Sequence, residues 1–176
     1  DNGSFEQAVT DNDWKGLPST AQVQTGGAAQ GDRYLRVNAG TYYVLPVTTA
    51  MPNREYYLGV SLRAAAGSNA YIGVSATPDG RGLFNDFNGM ASSFLRANSS
   101  SSDWQRLGTS FLIDDMMPTV YLVISCTSGY LDIDQVMLFQ NWERFAYAED
   151  PNNYDTADFD YDNIDPALVV TNGGFP

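Results

Sequence analysis

The sequence predicts an all-β protein, a β-sandwich or a barrel. Apolar residues recur at every second position in short runs, and turn-forming residues separate these runs. No long stretch shows the period of a helix. The chain has 176 residues and is 43% hydrophobic, which is enough for one domain with a core. Many short strands at this spacing are typical of antiparallel sheets packed face to face or closed on themselves.

Each predicted strand rests on its own alternation. In the longest, Tyr56, Leu58, Val60 and Leu62 alternate with more polar or smaller residues, and near the end of the chain an apolar run contains carboxylates. Pairs such as Gly26–Gly27 and triplets such as Pro78-Asp79-Gly80 supply the turns. The predicted strands are Ala21–Thr25, Tyr34–Asn38, Thr41–Val47, Tyr56–Ala64, Tyr71–Ala76, Leu107–Ile113, Val120–Cys126 and Leu131–Phe139.

Composition excludes several classes of function. The net charge is −12, from 21 acidic and 9 basic residues. This argues against nucleic acid and anionic membrane surfaces as partners, because both reward Lys and Arg. The longest apolar stretch runs from Thr119 to Cys126 and is too short to cross a bilayer. We therefore expect neither nucleic-acid binding nor membrane insertion.

The chain has one cysteine and no histidine. An internal disulfide, a cysteine-rich metal site and catalysis by Ser-His-Asp or Cys-His groups are thereby excluded. Cys126 alternates in phase with Val120, Leu122 and Ile124, which predicts a buried structural thiol. Carboxylate chemistry and calcium bound by oxygen ligands remain possible.

The two ends of the chain suggest a modular organisation. Asn2-Gly3-Ser4-Phe5 near the start is echoed by Asn172-Gly173-Gly174-Phe175 at the end. The simplest interpretation is one module of a larger tandem protein. Residues 141–176 carry eight acidic residues against Arg144 alone. We expect a sandwich over residues 1–140 and, over 141–176, an acidic extension or linker that leads into a possible next module.

Five motifs occur in an order and at a spacing that resemble the galactose-binding-domain-like jelly-roll carbohydrate-binding modules found beside xylanases and cellulases. The resemblance covers about residues 2 to 140. It implies a jelly-roll sandwich that binds a polysaccharide or glycan without catalysing a reaction, in a secreted or cell-surface protein with a structural calcium ion. The motifs are Asn2–Glu6 followed by Trp14, Gly31–Val37, Tyr56–Leu62, Trp104–Phe111 and Leu131–Leu138.

The last strand motif carries an argument for calcium of its own. Leu131 and Ile133 have one parity and Val136 the other, so a bulge or a buried Asp134 must interrupt the alternation. A buried carboxylate is costly without a partner. The first and last strands of jelly rolls are often neighbours, so Glu6 and Asp134 are the predicted Ca²⁺ ligands. The alternative is that Asp134 accepts backbone amides while Glu6 is solvated.

Sugar recognition needs flat aromatic rings with polar groups at their rim. The face opposite the core offers Tyr57, Tyr71 and Tyr121 with Arg63. By the resemblance, Tyr42 and Tyr43 lie in the strand where xylan-binding modules place a stacking tryptophan, and of these two we choose Tyr42. We expect these residues to form one continuous platform. Two other interpretations stay open. One is a structural or adhesive repeat of a surface protein without a sugar site. The other, less favoured because no acid pair stands out, is a glycosidase using Glu55, Glu143 or Glu149.

Overall fold

The computed structural model describes residues 3–6, 14–48, 54–85, 94–98, 100–113, 119–140 and 169–170. Across this part of the chain every regular element is a strand, which confirms the predicted all-β class. The strands are β1 (Ala21–Thr25), β2 (Arg33–Asn38), β3 (Thr41–Thr48), β4 (Arg54–Ala64), β5 (Asn69–Ser75), β6 (Phe94–Leu95), β7 (Gln105–Ile113), β8 (Thr119–Ser128), β9 (Tyr130–Gln140) and β10 (Val169–Val170).

The strands form two antiparallel sheets that pack as a sandwich. Sheet A has the order β1-β2-β9-β4-β7, with β10 beside β9, and sheet B has the order β3-β8-β5-β6. The chain passes from one sheet to the other between β2 and β3, β3 and β4, β4 and β5, β6 and β7, β7 and β8, and β8 and β9. This alternation produces the jelly-roll sandwich that the sequence resemblance implied.

The core lies between the sheets and is built from one parity of each strand. Tyr56, Leu58 and Leu62 of sheet A are fully buried, as are Val120 and Ile72 of sheet B to within 1%. Each such side chain contributes about 1.5–3 kcal/mol by leaving water. The described part of the chain contains no helix of the length and apolarity that a membrane span requires.

The predicted burial of Cys126 is confirmed, and Trp14 is buried as well. Cys126 is buried at the end of β8, and burial raises the pKa of its thiol above the usual value. Trp14 is 4% exposed and packs between Phe5 and Tyr43, with ring centroids 5.1 and 6.4 Å away. These rings close one end of the core, so Trp14 is a core residue rather than a sugar platform.

The break in alternation along β9 is a β-bulge, and Asp134 is buried as well. Pairing with β4 is interrupted between Gly59 and Ser61, and Gln135 has a φ of 52°. The extra residue returns Val136 and Leu138 to the core after Ile133. Asp134 and Gln135 thereby both reach the outer side of sheet A.

Three segments share one edge of β9. β2 pairs with it up to Ile133, the amide of Val136 donates to the carbonyl of Gly3 at 2.9 Å, and β10 pairs with its last residues. The amino-terminal segment is therefore a neighbour of β9. The predicted linker over 141–176 lies outside the described residues except for the two of β10, and the domain boundary stays a prediction.

Candidate functional site

Two tyrosines flank the middle of the outer face of sheet B. Tyr42 of β3 and Tyr71 of β5 both pair with Ser125 of the central strand β8. Two strand spacings separate them, about 10 Å. Tyr42 is 48% exposed, whereas Ser125 is almost completely buried and forms the floor between the rings. The arrangement is a shallow cleft with an aromatic ring on each side, which we call the tyrosine cleft.

A cationic group stands at the Tyr71 side of the tyrosine cleft. The guanidinium carbon of Arg96 lies 5.4 Å from the centre of the Tyr71 ring and 5.1 Å from that of Phe94. The Tyr71 and Phe94 rings are themselves 5.5 Å apart. Arg96 also donates from Nη1 to Oδ1 of Asn69 at 2.7 Å. The two aromatic rings and the Asn69 side chain together hold the Arg96 guanidinium beside Tyr71.

A turn folds over the centre of the same face. We call residues 77–82 the covering turn. Its Gly80 sits so close that a Cβ there would lie 2.7 Å from the Tyr42 hydroxyl and 3.1 Å from Val123. Val123 points away from the core and yet is fully buried. Tyr42 donates its hydroxyl to the carbonyl of Asp79 at 3.0 Å. Burial beside the turn is the main cause that raises the pKa of Tyr42, and nearby Tyr71 adds to it.

The covering turn is held by its own side chains. The Asp79 carboxylate accepts from the Thr77 hydroxyl at 2.6 Å and from the Arg81 amide at 3.0 Å. These hydrogen bonds lower the pKa of Asp79. The Thr77 hydroxyl oxygen also accepts from the Gly82 amide at 2.9 Å. The covering turn is therefore held in place by internal hydrogen bonds and borders the tyrosine cleft.

The five predicted ligand-binding residues do not form one platform, and that expectation is wrong. Tyr121 shares the outer face of sheet B but pairs with Pro46 and Ser75, beyond the point where Gly80 covers Val123. Tyr57 and Arg63 belong to β4 and point outward from sheet A. Alternation along a strand reveals which side chains point away from the core. It does not reveal to which sheet the strand belongs.

The outer face of sheet A is organised around a buried charge. Asp132 of β9 is completely buried. Its carboxylate accepts two hydrogen bonds from Arg36, at 2.7 and 2.9 Å, and one from Nε of Arg63 at 3.0 Å. The hydrogen bond to Asp132 is the main cause that raises the pKa of Arg36. Arg63 thus has a structural partner and does not border the tyrosine cleft.

Aromatic rings enclose this charged cluster. Arg63 lies over Trp104, 4.5 Å from the ring centre, and Arg36 lies over Tyr130 at 4.0 Å. Trp104 also meets Tyr34 edge to face, with the ring centres 5.5 Å apart. Its indole donates to the carbonyl of Gly27 at 2.9 Å. Trp104 is therefore an anchor of the β1–β2 connection.

The two predicted calcium ligands hold the same connection. Oε1 of Glu6 accepts from the amides of Asp32 and Arg33 at 3.0 and 2.9 Å. Oδ2 of Asp134 accepts from the amides of Ala29 and Gln30, both at 3.0 Å. The structure thus brings both acids to one loop from opposite ends of the chain. The amide bonds are those of the alternative interpretation, in which Asp134 accepts backbone donors.

The pKa of Asp134 reflects its burial and the charge of the nearby Glu6. Burial is the first cause that raises its pKa, and the negative charge of Glu6 raises it further, while the amides of Gln30, Gln135 and Ala29 oppose the rise. Among the described residues no group of three or more acid, histidine or cysteine side chains comes together. A calcium ion at this loop would therefore need backbone carbonyls besides the two carboxylates.

Sequence reasoning missed Arg96 and Asn69 as parts of the face. β6 is only two residues long, too short to show alternation, so nothing in the sequence placed Arg96 beside Tyr71. Phe94 of the same strand packs on Tyr71. Of the candidate catalytic acids, Glu55 is 1% exposed, whereas Glu143 and Glu149 lie outside the described residues.

Comparison with known proteins extends the description of the fold. No protein-family model and no curated protein sequence matches the chain. Among solved structures it is similar to a family 16 carbohydrate-binding module, with a TM-score of 0.53 and 19% identity over 78% of this chain and 96% of that one. It is also similar to the N-terminal CBM22-1–CBM22-2 tandem domain of Xyn10C from Paenibacillus barcinonensis. That TM-score is 0.51, with 16% identity over 78% of this chain and 43% of that one. The chain therefore has the jelly-roll fold of carbohydrate-binding modules.

Proposed function

We propose that this chain is a non-catalytic carbohydrate-binding module that binds a polysaccharide or glycan in the tyrosine cleft. The observation that carries the proposal is the pairing of Tyr42 and Tyr71 with the same residue, Ser125, on a solvent-facing side of sheet B. The shared fold is consistent with this role but does not identify the ligand.

The chemistry of the tyrosine cleft suits a sugar. Aromatic rings pack against the apolar C–H faces of a pyranose, and hydroxyl and charged groups at the rim accept or donate to its hydroxyls. Tyr42 and Tyr71 supply the rings, and Asn69, Asp79 and Arg96 supply polar groups around them. A site with so few rings buries little area, so we expect a Kd on the order of micromolar to millimolar.

The setting of the module is part of the proposal. We propose that the chain belongs to a secreted or cell-surface protein, where it would meet a polysaccharide, and that it is one of several modules, an interpretation that the repeated Asn-Gly-x-Phe motif supports. We further propose a structural Ca²⁺ held by Glu6 and Asp134. Both offer the hard oxygen ligands that calcium prefers. A cation would offset the repulsion by which Glu6 raises the pKa of Asp134.

A titration of soluble xylan, β-glucan and galactan fragments tests the sugar site. Backbone amide shifts, followed by NMR, should move around Ser125 and Tyr71 in sheet B. Tyr42→Ala and Tyr71→Ala should each weaken binding at least about tenfold, because each removes a stacking ring. Tyr57→Ala is the matched control on sheet A, and we expect it to leave binding intact.

The covering turn favours a second candidate function. It already shields Val123 and engages the Tyr42 hydroxyl, as would be expected of a face that serves only stability. The chain would then be a structural or adhesive repeat without a sugar site. If no glycan binds, or if Tyr57→Ala weakens binding as strongly as Tyr42→Ala does, the tyrosine cleft is not the sugar site. Absence of any binding would leave the repeat as the better account.

A further inference from the structure

Arg96 differs from the two arginines that share Asp132 on the other sheet. Arg36 and Arg63 are both bonded to the carboxylate of Asp132. Arg96 contacts two aromatic rings and a neutral amide, and none of the described carboxylates is its partner. In a chain with a net charge of −12, Arg96 thus stands beside the tyrosine cleft with no ion-pair partner among the described residues. It provides a positive charge that an external anion can complement.

The position of Arg96 is fixed before any ligand arrives. Asn69, which accepts from Arg96, donates its amide to the Ser128 hydroxyl and accepts at its carbonyl from the Thr127 hydroxyl, both at 3.2 Å. Stacking on Tyr71 and Phe94 restrains the flat face of the guanidinium. Within the described part of the chain Arg96 donates one hydrogen bond, from Nη1 to Asn69, and a guanidinium has five N–H donors, so we expect further donors to be available to a ligand. Such preorganisation lowers the entropy that binding costs.

We propose that the tyrosine cleft selects an acidic polysaccharide, with a uronic acid ring on Tyr71 and its carboxylate on Arg96. This inference rests on the proposed function and names the ligand class of that site. A guanidinium binds a carboxylate through two parallel hydrogen bonds, and the geometry is specific for planar anions. A uronic acid carries that carboxylate directly on the sugar ring. Stacking on Tyr71 would thus bring the two groups into reach of one another.

Paired ligands that differ in charge test the proposal. Oligogalacturonate is compared with galactan fragments, and glucuronate-substituted xylan with unsubstituted xylan, by calorimetric titration. The acidic member of at least one pair should bind about tenfold more tightly, and added salt should reduce this preference because it screens the charge. Equal affinity for acidic and neutral members would overturn the uronic acid assignment and leave the proposed function standing.

Variants of Arg96 test whether this residue causes the preference for acidic over neutral fragments. Arg96→Gln should abolish this preference, so that the ratio of the affinities for the acidic and the neutral member of a pair falls to about one, and Arg96→Lys should retain only part of it, because Lys lacks the planar fork. Arg33→Gln makes the same change of net charge on sheet A and should leave the preference unchanged. If Arg96→Gln keeps the preference, or if sulphated fragments bind and uronates do not, the inference is wrong. If neither acidic nor neutral fragments bind, the proposed function fails with it.

Discussion

The two outer faces of the sandwich carry the same kinds of side chain and use them in opposite ways. On sheet A, Arg36 and Arg63 surround the buried Asp132, and aromatic rings cover both guanidinium groups. On sheet B, Tyr42 is exposed and Arg96 has no acid among the described residues. Tyrosine and arginine therefore do not mark a binding face by themselves. What distinguishes the faces is whether the partners of these groups lie within the chain.

This difference separates stability from recognition. A buried charge with its partners in place is strongly destabilising when one partner is removed. An exposed ring supports little of the core, so its removal should affect ligand binding much more than unfolding. We therefore expect substitutions on sheet A to act on the free energy of unfolding and those at Tyr42, Tyr71 and Arg96 to act on affinity.

The largest effect is expected at Asp132. Asp132→Asn removes the charge that both Arg36 and Arg63 share and should lower the free energy of unfolding by about 3 kcal/mol. Urea denaturation followed by tryptophan fluorescence measures this, because Trp104 borders the cluster. Asp103→Asn, at an exposed position, makes the same chemical change and should behave like the wild type. A loss of similar size in both variants would show that the cluster has no special role.

The loop held by Glu6 and Asp134 should give the next largest effect. If it binds calcium, a concentration of about a hundred times Kd should add about 2.7 kcal/mol to the free energy of unfolding, and chelator should remove it. Asp134→Asn should abolish the difference in melting temperature. Identical melting curves of the wild type in calcium and in chelator would contradict a structural ion. In that case the hydrogen bonds from the backbone amides to Asp134 would be sufficient to hold the loop.

The difference in stability between the wild type and Asp134→Asn should also depend on pH, in a direction that the pKa of Asp134 predicts. Burial raises the pKa of Asp134 above its usual 3.8, so the folded state holds this proton more tightly than the unfolded state does. Its contribution to stability is then fully present below that usual value and is lost as the pH rises through the folded pKa. In chelator, the melting temperature of the wild type minus that of Asp134→Asn should fall from about pH 3 to about pH 6. A rise over this range would show that the amide bonds outweigh burial.

The smallest expected effect is the difference between two glycine substitutions, one of them in the covering turn. Gly80 and Gly67 have φ values of 73° and 72°, but only Gly80 has atoms within 4 Å of the position of an added Cβ. Both substitutions to Ala incur the strain of a left-handed backbone, about 1–2 kcal/mol. Gly80→Ala should cost roughly 1 kcal/mol more, because it pushes the turn away from Val44 and Val123. Equal costs in denaturant would show that the turn does not pack on sheet B.

Much of the fold followed from the sequence alone. Strict alternation along β4 and β8 identified the core-facing residues, because the side-chain period of a strand is two and is a local property. The change of parity after Ile133 predicted either a bulge or a buried Asp134, and the structure shows both. In the same way the phase of Cys126 predicted its burial.

Only the tertiary structure decided how the outward-facing residues are divided between the two sheets. Tyr42 and Tyr57 have the same exposure pattern in the sequence, yet β3 and β4 lie in opposite sheets. Membership of a sheet depends on pairing between segments far apart in the chain, about which a local pattern carries no information. For the same reason the site of Glu6 and Asp134 could be predicted only as a neighbourhood, and Arg96 could not be placed beside Tyr71. Local periodicity fixed which side chains face outward, and long-range pairing decided which of them meet.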